Sequence, residues 1–290
     1  MTDIDIFEEQ RPRLVRLAYQ MLGSVADAED IAQETYLRWQ RAGEPALDRP
    51  QAWFARTCTR LCLDRLKSAQ RQREQYVGEW LPEPLADRPA PGDEVDDSVS
   101  MALLRTIERL RPAERAAFLL HDVFGYAFQD VASMLDRESA DCRQLAVRAR
   151  RKLAAEHHAA AEPPTAESVR RLADAFFEAV EQGDDAALRN VLAEDVVLYA
   201  DGGGRVPAAS RPIEGSEAVA RFFVRVLAAS GSIERRGVWF NGAPGQLVLE
   251  DGVPVSAFQF HVVDGRVAGV YVQRNPDKLK RLARADDASR

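Results

Sequence analysis

Of 290 residues only three are cysteine: Cys58, Cys62 and Cys142. So few cannot build a disulfide framework, and their scarcity fits a reducing compartment. No run of 18 or more apolar residues occurs, which removes a membrane-spanning helix from the reading. The opening residues, MTDIDIFEEQRPR, lack the basic-then-apolar layout of a secretory signal, so the expected location is the cytoplasm. An excess of positive charge is missing too: 39 basic residues stand against 46 acidic ones, a net charge of −7. Nucleic acid rewards positive charge, so this average alone argues against a simple nucleic-acid binder. What is present is ordinary globular composition at a length suited to two or three domains.

Hydrophobic spacing divides the chain. Leu14, Leu17, Ala18, Met21 and Leu22 recur at helical period until Gly23, and Ser24 or Asp27 is placed to cap the next helix, which runs to about Arg41. Pro50 suits the first turn of a third helix, whose apolar stripe is Trp53, Phe54, Thr57, Cys58, Leu61 and Cys62. The proline-rich, acidic stretch that follows reads as an extended linker, and four further helices are expected near 98–110, 112–124, 127–136 and 139–157. After AEPPT at 161–165 an amphipathic helix (Val169 to Val180) precedes strands at 196–200, 233–240 and a meander turning at Asp251-Gly252 and Asp264-Gly265, with a helix at 215–229 between the first strand and the rest. The expected domains are helical 1–76, linker 77–97, helical 98–160, linker 161–167, α+β 168–275 and a tail 276–290.

The charge is segregated. Residues 53–73 hold six basic side chains against Asp64, 74–97 hold eight acids against Arg88, and 143–153 hold five basic side chains and no acid. A charge run on a helix is by default a solvated face. In the first cluster, however, Arg56, Arg60, Asp64, Lys67 and Arg71 step by three or four and share one face opposite the apolar stripe. The second cluster lies in a helix-turn-helix pattern, YAFQDVASMLDRESADCRQLAVRARRKL. Val131, Ala132 and Leu135 are expected to pack its first helix. Ser139 is expected to cap the second, with Leu145, Val147 and Leu153 buried. Asp141, Cys142, Arg143 and Gln144 then face outward at its start, where such motifs meet base edges. Arginine suits guanine and glutamine adenine, while Arg148, Arg150, Arg151 and Lys152 suit phosphates. Asp141 is the weakest of these readers, since its charge equally serves the helix dipole. Cys142 reads as a spacer, or as a redox sensor if the helix N-terminus lowers its pKa. Cys58 and Cys62 read as buried.

These segments resemble a family. SVADAEDIAQETYLRWQR is similar to region 2.2 of sigma-70-family factors, PQAWFARTCTRLCLDRLKSAQR to regions 2.3–2.4, and LRPAERAAFLLHDVFGYAFQDVASMLDRESADCRQLAVRARRKL to region 4. The order and short spacer resemble an extracytoplasmic-function sigma factor with domains 2 and 4 only. WLPEPL at 80–85, DGGG at 201–204 and NPDKL at 275–279 resemble the subgroup with a C-terminal SnoaL-like domain. The resemblance implies that Asp30, Gln33 and Glu34 dock on the β′ clamp helices of core RNA polymerase. It implies that Arg56, Arg60, Lys67 and Arg71 serve the −10 element, with the loop 41–48 capturing a flipped base, and that Ser139, Asp141, Arg143, Gln144, Arg148 and Arg151 serve the −35 element. The implied fold is all-α in both sigma domains, followed by an α+β cone with a curved antiparallel sheet.

The resemblance also implies that Trp80, Leu81 and Pro82, with Asp201, Gly202, Gly203 and Gly204, and with Asn275, Pro276, Asp277, Lys278 and Leu279, regulate the factor in cis through an intramolecular contact with the sigma domains. On residues alone the glycines are equally a flexible loop. Tyr199, Trp239, Gln259, His261 and Tyr271 are expected on strands, positioned to line the cone, but no strand-interior Asp or Glu accompanies them in 255–273, and Asp195, Asp251 and Asp264 sit at edges or turns. The expectation is therefore a non-enzymatic initiation factor without cofactor or metal. The alternatives are a small-molecule enzyme or ligand sensor fused to a DNA-binding module, and a repressor that works without polymerase.

Overall fold

The computed structural model describes residues 3–42, 50–74, 76–86, 100–156, 164–227 and 234–287. They form two units, one of residues 1–75 with 103–157, the other of 76–102 with 158–290.

The first unit is helical: α1 (Asp3–Leu22), α2 (Val25–Arg41), α3 (Pro50–Glu74), most of α4 (Met101–Ile107), α5 (Pro112–Phe118), a π-helical turn at Leu119–Val123, α6 (Phe128–Leu135) and α7 (Ser139–Glu156). Ser24 caps α2 by accepting the Asp27 N–H. Ala28, Ile31, Ala32, Thr35 and Trp39 form its buried face, as the spacing implies. Cys58 and Cys62 are buried with Phe54 on α3. Pro112 opens α5, where its missing N–H costs nothing.

In the second unit α8 (Ala166–Gln182) and α9 (Asp185–Val191) lead into β1 (Leu192–Asp201), β2 (Ile213–Glu214), α10 (Ser216–Leu227), β3 (Glu234–Phe240), β4 (Ala243–Glu250), β5 (Val253–Val263), β6 (Arg266–Gln273) and α11 (Pro276–Asp287). The six strands make one sheet in the order β2-β1-β6-β5-β4-β3. All neighbours are antiparallel except β1 and β6, so the sheet is mixed. Register shifts at Val248/Leu249 and His261/Val262 bend the strands. Both expected hairpins form, with φ positive at Asp251, Gly252, Asp264 and Gly265. A third turn of the same kind, Asn241-Gly242, joins β3 to β4 and starts β4 three residues before the expected QLVLE.

One face of the sheet packs on α8, α9 and α10 through Phe176, Phe177, Leu188, Phe223, Phe258 and Phe260. The opposite face buries Leu81, Met101, Ala102, Tyr271, Leu279 and Leu282. Residues 276–287, read as a tail, are a helix whose leucines are buried on that face. Among the described residues no helix is long and apolar enough to cross a membrane.

Candidate functional site

Asp30 and Gln33 are exposed on α2 and Glu34 is half-buried, so the three form the solvent side opposite the buried stripe. Glu34 pairs with Arg38 at 3.0 Å and Arg41 at 3.6 Å. On α3, Arg60 and Lys67 are exposed, Lys67 pairs with Asp64 at 2.9 Å, and Arg56 is half-buried with its Nε lacking an acceptor among the described residues. Arg71 lies on α3, but its side chain is outside the described residues, as are residues 43–48 of the expected base-capture loop.

The helix-turn-helix is α6, a three-residue turn and α7. Asp136 takes the left-handed conformation that ends α6. Ser139 is not the cap acceptor. It is the first helical residue, the Glu138 carbonyl accepts the Cys142 N–H, and the Ser139 hydroxyl has no partner among the described residues. Val131 and Met134 bury α6. The buried side of α7 is Cys142, Ala146, Ala149 and Leu153. Val147 is exposed and Leu145 half-buried, contrary to the expected stripe. Small residues there let the two helices approach closely.

Asp141, Arg143 and Gln144 do face outward. Cys142 does not: it is buried, and that burial pushes its thiol up in spite of Arg137, which removes the argument for an activated thiolate. Arg143 lies over the Phe128 ring at 5.6 Å. Arg148 and Arg151 are exposed, whereas Arg150 is paired with Asp122 at 2.7 Å and Lys152 with Glu114 at 2.7 Å.

Helices from the two expected helical domains belong to one unit. Arg13 donates to the Phe124 carbonyl at 2.6 Å and stacks on Tyr126, and Arg115 donates to the Met21 carbonyl. Arg60 lies 3.9 Å from Asp136, so a candidate −10 contact sits beside the helix-turn-helix turn.

The three short motifs of the sequence converge on one carboxylate in the second unit. Asp201, at the end of β1, is fully buried. Its Oδ1 accepts from the Tyr76 hydroxyl (2.6 Å) and the Gly203 N–H (2.9 Å). Its Oδ2 accepts from the Leu81 N–H (2.9 Å), Gln273 Nε2 (3.3 Å) and Lys278 Nζ (2.7 Å). Lys278 also donates to the Leu81 carbonyl and lies over the Trp80 ring at 4.0 Å. Burial, then the Asp201 hydrogen bond, push the Tyr76 phenol far above its usual pKa.

The glycines have specific duties. At Gly203, φ is +62° and a Cβ would stand 2.3 Å from Asn275 Nδ2. At Gly202 a Cβ would meet the Val206 carbonyl at 2.3 Å. Asn275 donates to the Tyr76 hydroxyl and accepts the Asp277 N–H, capping α11, where Pro276 opens the helix, Leu279 is buried and Asp277 pairs with Arg205.

The rest of the segment extends the contact. Pro82 is buried under Gln273, Glu83 pairs with Arg281, Leu85 and Asn241 bond each other twice, and the Met101 N–H donates to Gln259. Sequence reasoning missed Tyr76, Gln273 and Gln259 as partners. Gln259 and Tyr271, expected inside the cone, are on the opposite face, where Leu81, Met101 and Ala102 pack.

The helix-covered side of the sheet contains an apolar cavity of about 200 Å³, lined by Leu198, Phe222, Val248, Val255 and Phe258, with Glu250, Ser256 and Arg274 as polar neighbours. None of Tyr199, Trp239, Gln259, His261 and Tyr271 lines it.

Models of Sigma-70 region 2 and Sigma-70, region 4 match residues 6–72 and 100–153. The ECF RNA polymerase sigma factor SigJ of Mycobacterium tuberculosis strain H37Rv is 36% identical over 302 residues, covering 96% of this chain and 93% of the relative. Probable ECF RNA polymerase sigma factor SigI of M. tuberculosis strain CDC 1551 is 40% identical over 187 residues, 63% of this chain and 64% of the relative. A crystal structure of M. tuberculosis SigJ superposes with a TM-score of 0.77 at 32% identity, covering 96% of this chain and 98% of that one.

Proposed function

The chain belongs to the extracytoplasmic-function sigma factors of the sigma-70 family and directs transcription initiation, and on that premise we propose that its fused SnoaL-like domain restrains it in cis by clamping the segment between the two sigma domains. The observation that carries this reading is Asp201, a buried carboxylate with five donors drawn from the linker, the β1 loop and the region around α11.

The restraint is geometric. The −10 and −35 elements are separated by roughly 25 base pairs, or about 85 Å of duplex at 3.4 Å per pair. Helices α3 and α6, one from each sigma domain, touch through Arg60 and Asp136 and cannot serve both elements at once. Initiation therefore needs the body to open. A released linker from 75 to 102 spans up to roughly 90 Å at about 3.3 Å per residue, enough for the separation. With 76–86 and 100–102 held on one sheet face, that reach is lost.

The roles follow. Asp30, Gln33 and Glu34 present acid and amide groups to the clamp helices of core polymerase. Arg56, Arg60, Lys67 and Arg71 serve the −10 element. Arg143 and Gln144 read −35 bases, with Arg148 and Arg151 on phosphates and Asp141 and Ser139 at the helix start. The protein acts in the cytoplasm, with polymerase and promoter DNA as partners and no catalytic cycle of its own. Tethering makes the clamp effective at millimolar local concentration, so no separate protein is required to supply it. A distance measurement between spin labels at exposed positions on α3 and α7 tests the reading. One short distance is expected in the free protein and a longer one after addition of core polymerase. An unchanged short distance in a transcriptionally active complex overturns it.

A further inference from the structure

The helix-turn-helix is preceded by an unusual turn. Leu119–Val123 is π-helical and continues directly from α5. Such turns are rare, and they occur frequently at functional sites. None of the residues assigned to polymerase or promoter lies in it.

The side chain this turn presents towards α6 is His121. Its Nδ1 lies 2.8 Å from the Tyr126 carbonyl oxygen. A carbonyl only accepts, so Nδ1 carries a proton and donates, which fixes the orientation of the ring. The imidazole stacks on Phe128, the first residue of α6, with centroids 3.8 Å apart and planes 27° from parallel. Phe128 is also in contact with α7: the Arg143 guanidinium carbon is 5.6 Å from its ring centroid, within the range of cation–π attraction. The π-helical turn, the start of α6 and the outward face of α7 are thus joined by one chain of three side chains.

Arg143 differs from its basic neighbours in what holds it. Arg150 and Lys152 are engaged by Asp122 and Glu114. Arg143 is exposed, and among the described residues no carboxylate pairs with it. A carboxylate would occupy the same N–H fork that guanine O6 and N7 require. An aromatic ring attracts the cation through its π face and leaves that fork available. It also restricts the arginine before DNA arrives, which lowers the entropy lost when a base contact forms.

We propose that Phe128, backed by His121, is a positioning residue for −35 recognition, holding the Arg143 guanidinium with its hydrogen-bonding edge free for a guanine. This rests on the reading that Arg143 contacts a base.

Two measurements on the full chain test it. NMR relaxation of the Arg143 Nε–Hε group in the free protein reads the contact itself. The group is expected to be ordered in the wild type and in Phe128→Tyr, and mobile in Phe128→Leu, which keeps apolar bulk without a π face. His121→Ala leaves α6 untouched and should loosen Arg143 by a smaller amount. Arg143 order that is unchanged in both Phe128→Leu and His121→Ala overturns the proposal.

Competition run-off transcription with core polymerase reads the consequence, on templates that differ at one −35 base pair. The pair read by Arg143 is the one at which Arg143→Ala loses discrimination. There Phe128→Leu should lower discrimination about two- to fivefold, the equivalent of an exposed cation–π contact. Phe128→Tyr should restore it, and Phe128→Leu should add nothing in the Arg143→Ala background. An equal loss on every template, with discrimination kept, is the signature of packing alone and overturns the positioning role while leaving Arg143 as a reader. If Arg143→Ala relaxes no base pair, the reading of Arg143 as a base contact fails and the positioning role fails with it.

Discussion

Replacing Asp201 with asparagine keeps the shape of the clamp and removes its charge. The consequences follow from five donors converging on two oxygens. Tyr76 and Gly203 donate to one, and Leu81, Gln273 and Lys278 to the other. Whichever way the new amide turns, its NH2 faces at least two donors, and a Lys278 ammonium with only 13% of its side chain exposed loses its counter-ion. Breaking a buried pair by removing one partner costs about 3–5 kcal/mol. Lys278 keeps the Leu81 carbonyl and the Trp80 ring, so the lower end, about 3 kcal/mol, applies. At 1.36 kcal/mol per decade that is roughly a 150-fold increase in local opening. Native-state hydrogen exchange at the Leu81 amide reads it directly, because that N–H is bonded to the mutated group. Exchange at Leu247 and Val270, deep in the same sheet, should change far less. A fall in Leu81 protection of less than tenfold refutes the claim that Asp201 holds the linker.

Three further outcomes are expected. Gly203→Ala should open the same contact, since a left-handed backbone and a 2.3 Å approach to Asn275 leave no room for a methyl group; exchange at Leu81 and Asp277 reports it, and native protection at both contradicts the account. Arg143→Ala should weaken −35-dependent initiation by about 1–3 kcal/mol if it pairs with a base, and unchanged promoter preference in competition transcription removes it from the reading surface. Burial raises the Glu114 pKa, but the Lys152 pair and the Arg111 N–H outweigh it and hold the group below its ordinary range. A lowered folded pKa gives stability that is present above the unfolded value near 4.5 and lost as pH falls through the folded one. The stability difference between the wild type and Glu114→Gln should therefore be full at pH 6 and shrink towards pH 3, and a pH-independent difference contradicts the pairing.

Much of this was legible in the sequence because it depends on spacing. The buried face of α2 repeats at three and four, the Asp-Gly turns need positive φ, and the helix-turn-helix is a local pattern. The α7 core is not legible as a stripe of large residues because Cys142, Ala146 and Ala149 pack there. The terminal helix looks like a tail in the sequence because its charges hide a spacing of only two leucines, Leu279 and Leu282, and burial of those two is a tertiary fact. The clamp motifs were visible as motifs. Their common target was not, since Asp201 and Leu81 are 120 residues apart and nothing in either segment names the other. Gln259 and Tyr271 lie on the face away from the helices for a similar reason: alternation says that faces differ, not which one the helices cover.

If the linker holds this sigma factor in check, freeing it must raise initiation. Run-off transcription of fragmented genomic DNA with purified core polymerase, comparing the full chain with Asp201→Asn, measures this. Promoter-specific transcripts that depend on the added protein are expected, several-fold more abundant with the variant. The same transcripts at the same level from both proteins would contradict the restraint, and no promoter-specific transcript from either would contradict the account as a whole.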